Sequence, residues 1–246
     1  VSERYRPQDG SFTDLDPYSF FFHPNQVITA AELAEGKTRS RIEAIADRYS
    51  VQNPRKVLWT EKDGTKHYLE LIPFFMPTGA SALTLGTLSF ADDGIGTYTP
   101  TLQNDLVLWT GALVGNNARA DLVAGMVFAD LFTSVPDVDQ EKWEVTRVTS
   151  LGPGDFCWLV RKGSVNLRAD ATITDNGALV TAASGEVSPA ANVSTASVAA
   201  YENSIVEHTT GDGRPDGECV AIARAARTGA GQVLCELVLP SRYEAQ

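Results

Sequence analysis

Histidine is the side chain best suited to pass protons near neutral pH, and this sequence carries three, His23, His67 and His208, each far from the others along the chain. None lies in a motif that would pair it with a nucleophile or a metal ligand. The sequence has no nucleophile elbow, no metalloprotease helix motif and no Walker phosphate loop. Its nearest glycine pattern, Thr228 to Gly231, is followed by Gln232 rather than lysine. A hairpin turn accounts for those glycines. The segment Gly211, Asp212, Gly213, Arg214, Pro215, Asp216, Gly217, Glu218 gathers the oxygen ligands that calcium takes. Its spacing is not that of an EF-hand and Arg214 sets a cation among the ligands, so it reads as an acidic turn. Asp92 and Asp93 have the chemistry of a glycosidase pair, but sequence neighbours in a strand point to opposite faces. The expectation is a protein that is not an enzyme and holds neither a cofactor nor a metal.

The cysteines Cys157, Cys219 and Cys235 leave one unpaired in any disulfide scheme and lack the close spacing of a zinc site, so reduced, buried thiols are expected. A formal net charge of -11 repels phosphate backbones, and the densest basic set, Lys37, Arg39 and Arg41, is interleaved with Glu32, Glu35, Glu43 and Asp47. That mixture is a solvated helix face, which argues against a nucleic-acid partner. The chain opens on Val1 and polar residues rather than on a basic start with an apolar run. No stretch approaches the roughly 18 apolar residues of a membrane span. The expectation is a protein made in a cytosol, with no membrane partner, for which the sequon Asn192, Val193, Ser194 is a chance match.

The elements that must position these residues follow from pattern. Over Val1 to Gln26, Pro7, Pro17 and Pro24 rule out a continuous helix around the cluster Tyr18, Phe20, Phe21 and Phe22. The segment reads as an extended arm. Three consecutive phenylalanines cannot all face one side of a strand, so the arm is either pinned onto its own domain or laid on a neighbouring subunit, with those four aromatics as candidate partner-binding anchors. Thr29 and Glu32 have capping-box spacing, and Ile42, Ile45, Ala46 and Tyr49 follow at helical steps, predicting a helix over Ala30 to Tyr49 that Gly36 weakens and Asn53 and Pro54 close off. Lys56 to Thr60 and His67 to Ile72 alternate around Asp63 and Gly64 as a hairpin, which puts His67 in a strand. Short strands are predicted between Gly79 and Leu113. A second helix is predicted from Asn117, with Leu122, Val123, Met126, Val127 and Leu131 as its apolar stripe, until Ser134 and Pro136 stop it.

Beyond Pro136 the composition changes. Lys142 to Val148 alternates as a strand and Gly152 to Gly154 turns the chain. From Ser164 to Ala200 the only charged residues are Arg168, Asp170, Asp175 and Glu186, and small residues, Val and Thr dominate, a composition that permits tight β packing with close subunit contact, with flexible coil as the alternative over Ser184 to Ala200. Cys219 to Ala225 and Gln232 to Leu239 read as a closing hairpin joined by Arg227 to Gly231. These patterns predict a mainly β (α+β) protein: an extended arm over 1–26, a mixed α+β region with two helices over 27–145, and a β-rich domain over 146–246, which the resemblance described next makes β-barrel-like.

Gly163, Val165 and Leu167, then Ala178 to Ala182 running into the turn Ser184, Gly185, Glu186 and Val187, then Ala221 to Ala226 and a last apolar strand Val233 to Leu239 set up a pattern of strand, glycine turn and closing strand. In these features the stretch Leu151 to Pro240, a little over a third of the chain, resembles the small β-barrel of tailed-phage head decoration, or cement, proteins. The linker from Pro189 to Glu218 is longer than a compact barrel of this type needs, and the first 145 residues have no counterpart in its minimal form. The resemblance implies a homotrimer on the outer capsid surface of a virion, made in the host cytoplasm, whose partners are itself and the major capsid protein and whose function is to stabilise the shell. The rival reading is a head-fibre or tail component that binds host carbohydrate through exposed Trp59, Trp109, Trp143 or Trp158; the alternative for each of these tryptophans is a place in the core.

Overall fold

The computed structural model describes residues 10–15, 23–34, 36–61, 64–85, 89–92, 98–101, 104–128, 131–136, 143–190 and 218–240. The capping box is present: Thr29 accepts from the Glu32 amide while the Glu32 carboxylate accepts from the Thr29 amide at 2.7 Å. The Ala30 amide, another orphan donor of that helix end, is taken by Asp155 Oδ1 at 2.8 Å. Helix α1 (Ala30–Leu33) stops at Ala34 and α2 (Gly36–Arg48) starts afresh, so the single helix expected over Ala30 to Tyr49 is two. The break falls next to Gly36, the poorest helix former of the stretch. Leu33, Ile42 and Tyr49 turn inward, and Asn53 closes α2 by donating from its side chain to the Arg48 carbonyl at 2.8 Å.

Strand β1 (Gly10–Asp14) lies antiparallel on β2 (Arg55–Glu61), and β2 forms the expected hairpin with β3 (Lys66–Phe75), which carries a buried His67. The short strands predicted before Leu113 are β4 (Leu83–Thr84), β5 (Ser89–Asp92), β6 (Tyr98–Thr101) and β7 (Asp105–Leu108). The second predicted helix is not one. After a single 3-10 turn at Ala120–Leu122 the chain runs as β8 (Val123–Val127) and then β9 (Leu131–Pro136). Every residue of β8 is buried, because Val123 and Met126 face one core and Ala124, Val127 and Leu131 face another. An apolar run covered on both faces imitates a helical stripe. Gly125 settles the matter locally, since a Cβ there would meet the Val160 carbonyl oxygen at 2.7 Å. Strand β10 (Trp143–Val148) pairs with β9, and β11 (Ser150–Leu151) pairs with β4.

All of this converges on β12 (Phe156–Ala169). Its first half pairs with β3 on one side and meets β8 on the other, while its second half pairs with β16 (Gly231–Val238). From β16 the sheet passes to β15 (Ala221–Ala223), to β13 (Ala178–Thr181) and to β14 (Val187–Pro189), which returns to β12 through the Ala169–Val187 bridge. Strands β12, β14, β13, β15 and β16 therefore close a five-stranded barrel. The protein is mainly β, as the patterning predicts, with its helices in the N-terminal half and, as the resemblance implies, a small barrel at the C-terminal end. The barrel interior is Val165, Leu167, Ala169, Leu179, Val187, Ala221, Ala223, Val233, Cys235 and Leu237. A ring of so few strands leaves little inner volume, which explains the alanines at Ala169, Ala221 and Ala223 and the small-residue composition of the region.

A bulge at Arg161 makes the two halves of β12 compatible. Before it the even residues Phe156, Trp158 and Val160 face the main core; after it the odd residues Val165, Leu167 and Ala169 do. The extra residue shifts the alternation by one and keeps a single core continuous through sheet and barrel. Just beyond the bulge, Gly163 at φ +117 lies between Leu69 of β3 and Leu237 of β16, and a Cβ there would sit 1.9 Å from the Tyr68 carbonyl oxygen. Gly163→Ala is expected to cost about 3 kcal/mol or more, from a left-handed backbone plus a clash with main chain that cannot swing away. A urea-unfolding midpoint close to that of the native chain would contradict this account of the junction.

Candidate functional site

The structure places a charged and aromatic cluster at the base of the N-terminal segment. In β1, Phe12 stands opposite Trp59 and packs on it at 4.4 Å between ring centroids. The same ring meets His23 edge-on at 5.1 Å and Phe128 at 5.8 Å. His23 also reaches Phe132 of β9 at 5.3 Å. Two residues on from Phe12, Asp14 receives both the Nε and Nη2 donors of Arg55 at 2.8 Å each, a bidentate pair whose guanidinium lies 4.7 Å over the Trp158 ring. Arg55 is 1% exposed, so its charge is compensated inside the fold, and this carboxylate and indole contribute to that.

Beyond His23 the chain is stitched to the body. The Asn25 amide donates to His23 Nδ1 at 3.3 Å and the Gln26 amide to the His23 carbonyl at 2.8 Å. Phe132 donates to the Asn25 carbonyl, Val27 donates to the Phe132 carbonyl, and Ile28 exchanges two hydrogen bonds with Phe156. Burial, reinforced by the Arg55 charge and opposed by Asp14, lowers the His23 pKa to about 4. At neutral pH His23 is therefore an uncharged acceptor inside an aromatic cage. It is placed to hold structure, and the described residues bring it no nucleophile.

The candidate anchors Tyr18, Phe20, Phe21 and Phe22 lie outside the described residues, but the residues on either side of them, Asp14 and His23, are both fixed to the same body. Of the residues weighed for catalysis, His67 is buried in β3 opposite Trp59. His208, Asp93, the side chain of Asp92, residues 211–217 and the sequon at 192–194 fall outside the description. Thr228 to Gly231 is the predicted hairpin turn, where Arg227 donates to the carbonyls of Ala230 and Gln232. Among the described residues, no group of three or more His, Cys, Asp or Glu could hold a metal ion. The thiols are free, but only Cys157 and Cys235 are buried; Cys219, expected inside, is exposed, because it precedes the inward-facing Ala221 of β15 by two residues yet lies before the strand begins. Burial pushes the Cys157 thiol pKa far up and that of Cys235 to about 12, which keeps both as unreactive thiols. Trp158 is fully buried, Trp59 is stacked on Phe12, and Trp109 donates from Nε1 to the Asp121 carbonyl at 3.1 Å. These three rings serve as packing, and the side chain of Trp143 is outside the description.

Pattern reasoning passed over Phe12, Asp14 and Arg55. Arg55 and Asp14 are distant in sequence and only the β1–β2 register makes them neighbours; the period-two placement of Phe12 and Asp14 was the available hint. Asp14→Ala, which takes this bidentate partner from the buried Arg55, is expected to cost about 2 kcal/mol in denaturant unfolding, the partial exposure of Asp14 keeping the figure below that of a fully buried pair. Adding Arg55→Met should recover much of the loss, and an additive double variant would refute the pairing. No protein-family model and no curated protein matches the chain. Among solved structures it is similar to the N base of the head fiber gp8.5 in bacteriophage phi29, at a TM-score of 0.30 and 10% identity over 72% of this chain and 99% of that one. So loose a likeness transfers neither topology nor function.

Proposed function

We propose that this chain is a non-catalytic structural protein of a virus particle, which binds the outer surface of a tailed-phage head as a homotrimer and stabilises contacts between major capsid protein subunits. The observation that supports this reading is the closed five-stranded barrel. The residues that carry the resemblance to cement proteins are the ones that build it: Gly163, Val165 and Leu167 in β12, Ala178 to Thr181 in β13, Val187 in β14, and the β15–β16 hairpin.

In this reading Tyr18, Phe20, Phe21 and Phe22 are the anchors. The clamps at Asp14 and His23 suit such a role, because they fix where the segment leaves and rejoins the body and so lower the ordering cost of binding. One phenylalanine taken out of water contributes roughly 1.5 to 3 kcal/mol before those costs, and repetition over a lattice multiplies the effect. The acidic balance of the chain keeps a decorated particle soluble and disfavours nucleic acid as a partner.

Deleting Val1 to Gln26 would be a poor test, since it also removes β1 and the Asp14 partner of Arg55. Replacing Tyr18, Phe20, Phe21 and Phe22 together by serine is the cleaner experiment. The variant is expected to keep the native unfolding transition while losing co-sedimentation with phage heads by 10-fold or more. Undiminished decoration by that variant would remove the four aromatics from the mechanism. A monomer in solution, or an image of virions that places the chain inside the head or on the tail, would remove the cement reading itself.

A further inference from the structure

His23 is a side-chain contact shared by β1, the crossing segment 23–28 and β9. Its ring touches Phe12 of the edge strand β1 on one side and Phe132 of β9 on the other, and β9 belongs to a separate two-stranded sheet with β10. Its Nδ1 is the acceptor for the Asn25 amide, and the backbone from Asn25 to Val27 is hydrogen-bonded to Phe132. A ring in this position holds only while it is neutral: an imidazolium has no lone pair for the Asn25 amide and would carry a charge between the rings of Phe12 and Phe132. We propose that His23 is the pin of an acid-sensitive latch, which fastens β1 to the crossing segment 23–28 and to β9 at neutral pH and lets go when the ring is protonated.

The charged groups that face it are Asp14 from β1 and Arg55 from β2, which are paired with each other. That pairing leaves Arg55 to oppose a second cation and Asp14 to favour it only weakly, and burial is the larger influence. His67 stands one strand further away on β3, across from Trp59, from β9 the neighbour is the apolar Phe132, and Phe128 beyond β8 packs on Phe12. The sign follows from the direction of the shift. The latched state binds the proton less readily than the open state, with a pKa lowered to about 4 from 6.5. The latch is therefore at full strength above pH 6.5, weakens as pH falls through the window between those two values, and gains nothing further below it. The opening equilibrium rises on the order of 200-fold by about pH 3.5. The described barrel contains no histidine, so this weakening acts on the N-terminal clamp and leaves the β12–β16 pairing in place.

The test is amide hydrogen exchange on the full chain from pH 7 to pH 3.5, corrected for intrinsic exchange, together with residue-resolved NMR titration of the imidazoles. The expected result is a 100-fold or greater loss of protection confined to residues 10–15 and 23–28, while amides of β12 and β16 stay protected. His23→Phe, which keeps the ring packing and cannot titrate, is expected to abolish the pH response. Three results would each overturn the proposal: an imidazole of His23 that titrates near 6.5, a His23→Phe chain that opens over the same range as the native one, or a barrel that opens at the same pH as the clamp. If the variant does not fold, the imidazole titration and exchange pattern of the native chain decide alone.

Discussion

A single inserted residue in β12 holds the architecture together. With perfect alternation, a strand whose even residues face the core in its first half would turn its even residues inward in its second half as well, and Lys162, Arg168 and the polar Ser164 and Asn166 would enter the barrel. The bulge at Arg161 exchanges the faces, and Val165, Leu167 and Ala169 enter instead. The displaced residue is itself buried. Arg161 donates to the carbonyls of Val123 and Ala124 at 2.8 and 2.9 Å, and also to Pro240, and lies 5.5 Å from the Trp109 ring. It thereby joins the end of β16 to the start of β8. Burial lowers its pKa to about 10, which leaves it charged at any physiological pH.

The chain is strongly acidic, yet of the three charged side chains buried among the described residues, Arg55, Asp105 and Arg161, two are cations. A guanidinium suits this use because its planar fork can satisfy several acceptors while its face lies on an indole. Arg55 finds a carboxylate and Trp158; Arg161 finds main-chain carbonyls and Trp109. Each closes a seam between elements remote in sequence, Arg55 between β1 and β2, Arg161 among β8, β12 and the end of β16. Because each set of acceptors exists in only one register, the two arginines disfavour slipped alternatives as well as contributing hydrogen bonds.

Seams of this kind give a functional surface a rigid frame. Sheet and barrel share β12 and one continuous core, so a load applied to the N-terminal clamp is transmitted to the barrel through packed side chains rather than through a linker. In the proposed role, binding between repeated neighbours, such rigidity would limit the entropy lost at each contact. The aromatic cage around His23 is the exception, a place where one uncharged ring stands between two pieces of chain and where acid has a defined point of attack.

Local order determined what could be read from the residues alone. The capping box of Thr29 and Glu32, the β2–β3 hairpin, the strand at 143–148 and the closing β15–β16 hairpin depend on neighbours a few residues away, and each is found where pattern puts it. The strands of the barrel were legible because alternation and small residues are local signals, whereas their closure into a barrel was expected only from the resemblance to cement proteins. Tertiary structure decided the rest. The apolar run after Asn117 is a strand because two cores cover it, and periodicity counts apolar residues without knowing how many faces will be buried. The bulge at Arg161, the space that only Gly163 fits, and the meeting of Asp14 with Arg55 and of His23 with Phe132 exist only once strands distant in sequence lie side by side. Contacts of that range leave no periodic trace, since either partner alone looks like an ordinary polar or aromatic residue until the fold supplies the other.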